Sequence, residues 1–495
     1  MILGDLHMRQ RITQLASLAV ILSAGLVAAA DDTRTDAKRW AVAICDAAGF
    51  TGGLIVHLDC NDGQLTAALK VNDRTIVHGL DTNAADVARS REHFRSLGIH
   101  GAVSAERWED TSLPYADRMV NLLVVSGTGC QVSEDEIERV LCPGGVAVKV
   151  APEIQDSKPE ILFRKPWPDD LDQWTHFLHD PSNNAVARDS AVGPPRGLQW
   201  MAAPVWSKEH DVTPSVFAPV SCNGRLFYIL NEGPLCTIDP RLPDRYSVVA
   251  RDAFNGVPLW KRPMSDWYSS RVIWGHIPMH SQRRLVAVGD RVYVTLGLQA
   301  PVTALDAATG EIVREYPGTE RTSEILCSGD KLVLVARKTH PLDGLLAGRD
   351  GTRFRKGYMG PQQGGEELLV VGEHSGECLW RSRRSCMPLT LAVADQRVLF
   401  AEEGAIACLD LETGKQIWTA PCEAARTLVV HGNTVLVANA DRQKITLAAF
   451  DLVSGQSLWS REAGSLPNFL FFFGPLDIFV ARDLVWGLTE DLEYI

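Results

Sequence analysis

Five segments in the second half of the chain repeat one turn signature, and this periodicity restricts the fold more than any other feature. They are Arg251-Asp252-Ala253-Phe254-Asn255-Gly256-Val257-Pro258-Leu259-Trp260, Leu305-Asp306-Ala307-Ala308-Thr309-Gly310-Glu311-Ile312, Glu373-His374-Ser375-Gly376-Glu377-Cys378-Leu379-Trp380, Leu409-Asp410-Leu411-Glu412-Thr413-Gly414-Lys415-Gln416-Ile417-Trp418 and Phe450-Asp451-Leu452-Val453-Ser454-Gly455-Gln456-Ser457-Leu458-Trp459. Their glycines are 54, 66, 38 and 41 residues apart. Ahead of each lies a hairpin signal flanked by alternating apolar residues: Asn223-Gly224, Gly289-Asp290, Gly329-Asp330, Asp395-Gln396 and Gly432-Asn433. Two hairpins per unit make four strands, and a four-stranded unit recurring at about 40 residues is a propeller blade. Within the motif the aspartate accepts hydrogen bonds from turn amides, Thr or Ser caps the turn, and glycine supplies the positive φ of a bulged hairpin. The tryptophan four residues beyond the glycine is placed to fill the gap between blades. The second unit carries Arg314 there, so one inter-blade contact must be made otherwise.

The pattern resembles the pyrroloquinoline quinone (PQQ) repeat family of β-propellers, which includes quinoprotein dehydrogenases and the outer-membrane-assembly propeller lipoprotein. Its blade motifs are Gly256, Trp260, Gly310, Gly376, Trp380, Gly414, Trp418, Gly455 and Trp459. The resemblance specifies a fold, not an activity. The adjacent cysteine pair typical of quinoprotein dehydrogenases is absent, and their calcium cluster and catalytic aspartate have no matching positions. Five complete blades end near Glu462, and Asn468 to Leu488 supplies strands for a sixth. Either strands such as Leu198 to Trp206 complete a six-bladed ring or the chain is a fragment. An open edge would expose unpaired backbone groups, which favours the fragment.

The first thirty residues read as an export signal. Arg9 and Arg11 precede an apolar run from Leu15 to Val27, and Ala28-Ala29-Ala30 offers a cleavage site before Asp31. The run is shorter than the roughly 20 residues a membrane span needs. The expectation is an exported chain, periplasmic or extracellular, with no transmembrane anchor once mature. In that compartment some of the eleven cysteines are candidates to pair, such as Cys378 with Cys386 or Cys408 with Cys422. Burial as small apolar side chains is the alternative. No cysteine or histidine spacing signals structural zinc.

Residues 38–151 read as an α/β domain. Gly53 to Leu58 is a buried parallel strand, followed by Asp59-Cys60-Asn61-Asp62-Gly63 and a helix. Strands over Thr75 to Leu80, Ala102 to Ala105, Val120 to Val125 and Val146 to Val150 alternate with helices Ala84 to Leu97 and Glu134 to Leu141. Ligands of such sheets lie at the strand C-termini. This unit resembles the class I S-adenosylmethionine-dependent methyltransferases through its glycine-loop region, Asp81, Leu113-Pro114-Tyr115 and Arg139-Val140-Leu141-Cys142-Pro143-Gly144-Gly145. The resemblance implies Asp81 at the ribose hydroxyls and Asp110 near the adenine, with Asp59 and Gly63 in the loop. The family's first two loop glycines are Asp59 and Asn61 here, its first-strand acid is His57, and its fourth-strand acid is Asn121. A Cβ and carboxylate at Asp59 should obstruct the ligand. The family's last two strands have no counterpart in the pattern.

The expected fold is therefore multidomain: a degenerate, methyltransferase-like Rossmann-like α/β domain, a connector over 152–205, and an all-β propeller of PQQ-type four-stranded blades over 206–495. The whole arrangement looks like bacterial PQQ-binding-like β-propeller repeat proteins. The connector holds Trp174-Thr175-His176-Phe177-Leu178-His179-Asp180-Pro181-Ser182-Asn183-Asn184. If His176 and His179 share a helical face, they could bind a metal with Asp180 and His210. The other reading is that these polar groups lock the connector across the propeller by hydrogen bonds. Arg349 to Lys356 reads as a surface loop inserted in the third blade.

Acidic residues exceed basic ones by 61 − 49 = 12, which disfavours a nucleic-acid partner. Three functions follow. The first is a binding or assembly module that meets a protein or small-molecule ligand on the propeller face. The second is a PQQ-dependent oxidoreductase with the quinone in the central channel, and the third is a methyltransferase. PQQ and S-adenosylmethionine enter by resemblance alone; neither is indicated by an intact set of site residues.

Overall fold

The computed structural model describes residues 36–127, 129–151, 158–190, 193, 197–203, 215–233, 245–265, 279–297, 299–337, 366–423, 425–441, 444–465 and 478–487. The export signal, His210 and the Arg349 to Lys356 run lie outside them, and Leu198 to Trp206 does so in part. No helix among the described residues is long and apolar enough to cross a membrane. The chain divides into two compact units, Met1–Pro168 and Asp169–Ile495.

The first unit is a six-stranded sheet built from β1 (Gly53–Leu58), β2 (Thr75–Asp81), β3 (Val103–Arg107), β4 (Val120–Val125), β5 (Leu141–Lys149) and β6 (Glu160–Arg164), in the order β3-β2-β1-β4-β5-β6. The pairs among β1 to β5 are parallel. Ile55, Val56, Leu122, Leu123 and Val148 are fully buried, as the apolar strand runs require. Helices α1 (36–48), α2 (Gln64–Ala68), α3 (Ala84–Ser96) and α4 (Glu134–Val140) complete the unit. Asn83 and Ser133 cap α3 and α4 with side-chain oxygens that accept backbone amides. Two expectations are corrected. A further strand, β6, does follow β5 and pairs with it antiparallel. β5 also begins at Leu141, because Pro143-Gly144-Gly145 bulges out of the ladder across a register slip, with Gly144 at φ 77°, and the strand continues beyond it.

The second unit contains five four-stranded antiparallel sheets, each ordered as in the chain. Blade 1 is β7 (Val216–Cys222), β8 (Arg225–Asn231), β9 (Tyr246–Asp252) and β10 (Pro258–Pro263). Blade 2 is β11 (Leu285–Val288), β12 (Arg291–Thr295), β13 (Val302–Asp306) and β14 (Ile312–Tyr316). Blade 3 is β15 (Thr322–Ser328), β16 (Lys331–Arg337), β17 (Glu366–Gly372) and β18 (Cys378–Ser382). Blade 4 is β19 (Ala392–Ala394), β20 (Arg397–Glu402), β21 (Ala405–Asp410) and β22 (Gln416–Pro421). Blade 5 is β23 (Ala425–His431), β24 (Thr434–Asp441), β25 (Lys444–Asp451) and β26 (Ser457–Ser465). A sixth sheet is described as the pair β27 (Ile478–Ala481) and β28 (Leu484–Gly487). The apolar cores lie between blades: one cluster joins blades 1 and 2, another 2 and 3, and so on to 5 and 6.

Each turn motif links the third strand to the fourth, and a register slip marks it in all five blades. Oδ1 of Asp306 accepts the amides of Ala308 and Thr309, and Oδ1 of Asp451 accepts those of Val453 and Ser454. The motif glycines adopt φ of 67° to 74°. Three motif tryptophans, Trp260, Trp380 and Trp418, dock on the glycine of the next blade. A Cβ on Gly310, Gly414 or Gly455 would lie 2.6, 2.6 or 2.5 Å from the indole of Trp260, Trp380 or Trp418. The same indoles donate Nε1–H to the carbonyls of Ala307, Leu411 and Leu452 (2.9, 2.8 and 3.0 Å), three residues before those glycines. Arg314 substitutes for the missing ring: its guanidinium covers Gly376 and donates to Ser375 O (3.1 Å). Trp200 packs over Gly256 in the same way and donates to Ala253 O (3.0 Å), a wedge that lies ahead of the first repeat. Trp459 is 41% exposed.

None of the ten described cysteines is in a disulfide, which corrects the Cys378–Cys386 and Cys408–Cys422 pairings. Nine are buried and Cys378 is exposed. Replacing Trp418 by alanine should cost about 3–5 kcal/mol, because the cavity opens between two rigid sheets. Gly455→Ala should cost more than about 1 kcal/mol, from positive φ and overlap with the same ring. Urea unfolding midpoints measure both, and an unchanged midpoint for either variant would contradict wedge packing.

Candidate functional site

The connector carries the most unusual polar chemistry of the second unit. Residues 171–184 form no helix; His176 and His179 pair instead as an isolated antiparallel bridge, with His179 at φ 73°. The shared helical face is thereby corrected. The segment reaches the first strand of every blade, in order. Ser221 of β7 donates its amide to Trp174 O (2.7 Å), and Ala287 of β11 donates to Thr175 O (2.9 Å). Cys327 of β15 donates to Nε2 of His176 (3.0 Å). Val393 of β19 donates to Pro181 O (2.8 Å), and Val430 of β23 to Ser182 O (2.9 Å). Val480 of β27 donates to Oδ1 of Asn184 (2.8 Å). All six donors sit two residues before the turn that leads to the second strand.

A segment that touches six first strands at one equivalent position turns around the axis about which those strands are arranged, at a single level. It is a hub. Asn183, 2% exposed and at φ 66°, donates through Nδ2 to Leu391 O (2.8 Å) and Leu428 O (3.0 Å). Asn184 returns a second bond, from Nδ2 to Val480 O (3.0 Å), so its side-chain amide pairs with β27 as another strand would. The Leu391 carbonyl also accepts Nη1 of Arg283 (3.3 Å). Arg283 belongs to a 3-10 helix, Met279–Arg284, ahead of β11. It pairs with buried Glu324 (3.3 Å) and donates to Leu389 O (3.2 Å), which ties blades 2, 3 and 4 together.

The candidate metal ligands are committed to this hub. Nε2 of His176 accepts a backbone amide, so the ring is neutral with its proton on Nδ1, which donates to Oγ1 of Thr175 (2.7 Å). Burial pushes its pKa down to about 3. His179 stands between two carboxylates, Asp180 (3.4 Å) and Asp172 (2.7 Å), and the bond to Asp180, reinforced by Asp172, raises its pKa against the pull of burial. Burial works to raise Asp180, but hydrogen bonds from His179 and Ser182 outweigh it and bring the carboxyl to about 2. Among the described residues no group of three His, Cys, Asp or Glu side chains is arranged to hold a metal ion.

The fold resemblance implies a quinone at the propeller axis. There the hub takes one inward amide of each described inner strand, and Arg283 is taken by Glu324 and two carbonyls. The residues present do not fit a planar cofactor at that place.

In the first unit the loop after β1 keeps the backbone of a glycine loop without its glycines. Asp59, Asn61 and Gly63 adopt φ of 58°, 47° and 82°. Asp and Asn tolerate this region better than other side chains. Asp81 accepts the amides of Asn61 (2.9 Å) and Asn83 (2.9 Å). Asp110 is exposed and caps the amide of Thr111 (2.6 Å). His57 is buried between Oγ1 of Thr66 (2.8 Å) and Oγ of Ser126 (2.6 Å), and burial lowers its pKa to about 4. The Asp59 carboxylate turns across to the loop after β4, where it accepts the amides of Gly129 (3.1 Å) and Cys130 (2.8 Å). These residues do not fit S-adenosylmethionine, because a buried carboxylate fills the mouth of the loop.

A family profile described as outer membrane protein assembly factor BamB matches residues 364–488. The BamB of Moranella endobia (strain PCIT) is 25% identical over 271 residues, which cover 50% of this chain and 62% of that protein. The chain thus spans less than two thirds of that relative. The second unit carries PQQ-like propeller repeats of the BamB kind. Two solved structures align with part of the chain. A putative S-adenosyl-L-methionine-dependent methyltransferase from Methanococcus maripaludis is 18% identical, covering 23% of this chain and 55% of its own at a TM-score of 0.22. A putative sarcosine dimethylglycine methyltransferase from Galdieria sulphuraria is 18% identical, covering 24% and 46% at a TM-score of 0.21.

Sequence reasoning singled out the connector, His176, His179 and Asp180, but not Asn183, Asn184, Asp172, Trp200 or the Arg283–Glu324 pair. Only Trp200 had a usable signal, an extra tryptophan ahead of the first motif. Asn183→Ala should destabilise the second unit by roughly 1–3 kcal/mol, since the Leu428 carbonyl loses its side-chain donor and the Leu391 carbonyl keeps only Arg283. Urea unfolding reads this, with Asn184→Ala raising amide exchange mainly at β27. His176 binds its proton in the unfolded chain near pH 6.5 and in the folded one near 3. Its contribution is therefore intact above pH 6.5 and lost progressively as pH falls towards 3. His176→Gln should flatten that part of the stability profile; an unchanged slope would show that the ring is not neutral in the fold.

Proposed function

We propose that the chain is an exported binding or assembly module in which a hub-locked propeller presents one face to a protein partner. The observation that carries this reading is the hub: the chain's own residues occupy the axial region and bond one inward amide of each described first strand. In each sheet the connections between strands one and two, and between three and four, lie at one end; the others lie at the opposite end. At the first end the strand one to two turns are two residues long in all six sheets. At the other end the strand two to three connections run from 2 residues (444 − 441 − 1) to 28 residues (366 − 337 − 1). Variable connections on a rigid scaffold are where recognition concentrates. The Moranella relative is an outer membrane protein assembly factor, which supports a cell-envelope setting and a protein partner. The first unit serves as a non-catalytic module, because Asp59 and Asp81 are spent on its own backbone.

Photo-cross-linkers placed in cells at Glu320 and Arg383, exposed positions at the variable end, should trap one defined envelope protein. A cross-linker at Lys415, exposed in the motif turn at the other end, should not. Equal adducts from both ends would defeat the reading, and so would micromolar binding of S-adenosylmethionine in calorimetry or quinone-dependent dehydrogenase activity.

A further inference from the structure

The contact between Asp59 and the loop after β4 has the form of a ligand in its site. Both carboxylate oxygens are used, Oδ1 on the Cys130 amide (2.8 Å) and Oδ2 on the Gly129 amide (3.1 Å). The receiving loop is shaped around them: a Cβ on Gly127 would lie 2.7 Å from Oδ2, and one on Gly129 would lie 2.7 Å from Oδ1. Asp59 is 6% exposed as a residue and forms no ion pair among the described residues, so its carboxylate is met by backbone dipoles. Convergent amides of this kind bind anions without needing a cation. Nothing in the backbone requires a side chain here. The chain accepts a left-handed φ of 58° at Asp59, where glycine would sit without strain. The neighbouring Cys130 thiol is pushed up to about 12, first by burial and further by Asp59, so it stays neutral and adds no competing negative charge.

We propose that the amides of Gly129 and Cys130 form a carboxylate-binding site that Asp59 fills in cis, and that removing this side chain lets a free carboxylate take its place. The ligand class is a small molecule that bears a carboxylate, docked at the C-terminal ends of β1 and β4. The non-catalytic reading of the first unit gains a cause from this, and it falls on a different result, binding of S-adenosylmethionine by the wild type.

The test uses the full chain with Asp59→Gly, which leaves the positive φ relaxed and the two amides without an acceptor. Thermal unfolding is followed in sodium formate and in sodium chloride at equal ionic strength. The variant should unfold earlier than wild type in chloride and recover saturably in formate. At formate ten times its dissociation constant the folded-to-unfolded ratio should rise about elevenfold. Wild type, whose site is filled, should not respond. Identical behaviour of the variant in the two salts, or an equal formate response from wild type, overturns the proposal. If the variant does not fold in chloride, its folded yield on refolding in formate against chloride decides the matter, and equal yields overturn it.

Discussion

A blade's first strand has one edge paired to its neighbour and one edge turned to the axis, and a buried backbone amide without an acceptor is expensive. The second unit depends on how that edge is satisfied. Six amides, from Ser221, Ala287, Cys327, Val393, Val430 and Val480, meet six acceptors supplied in chain order by Trp174 to Asn184. Four acceptors are backbone carbonyls, and two are side-chain atoms of His176 and Asn184. Where the extended chain cannot hold the register of the blades, a side chain bridges the distance.

The hub acts on the inner edge and the tryptophan wedges act on the outer part of each blade. A wedge requires a surface flat enough to receive an indole, and the motif glycine provides it without a Cβ. The same glycine occupies the left-handed region that closes the bulged hairpin. One residue therefore sets the turn of its own blade and the seat for the preceding one. Arg314 shows that the seat tolerates a guanidinium, since planarity and a hydrogen bond to a nearby carbonyl are what the contact uses.

The first unit keeps the backbone conformation of a glycine loop with other residues in it. Asp59 and Asn61 hold the left-handed conformations that glycines would hold, and their side chains are turned to internal work. Asp81 still stands at the end of β2, but its oxygens pin the loop instead of facing an open site.

The turn signature by itself determined the four-stranded blades, because Asp, Gly and Trp at fixed offsets admit few geometries. The apolar runs likewise determined the parallel strands of the first unit, where burial on both faces leaves a plain mark. The role of Trp174 to Asn184 was decided by tertiary structure. Its partners lie up to 296 residues away, and nothing local in Asn184 foretells the amide of Val480. The same holds for Asp59: the sequence shows a carboxylate where a glycine is expected, and only the approach of Gly129 and Cys130 makes it a ligand. Periodic packing leaves a periodic trace in the chain. A single long-range hydrogen bond leaves none, because its partner is chosen by the folded backbone and not by neighbours in sequence.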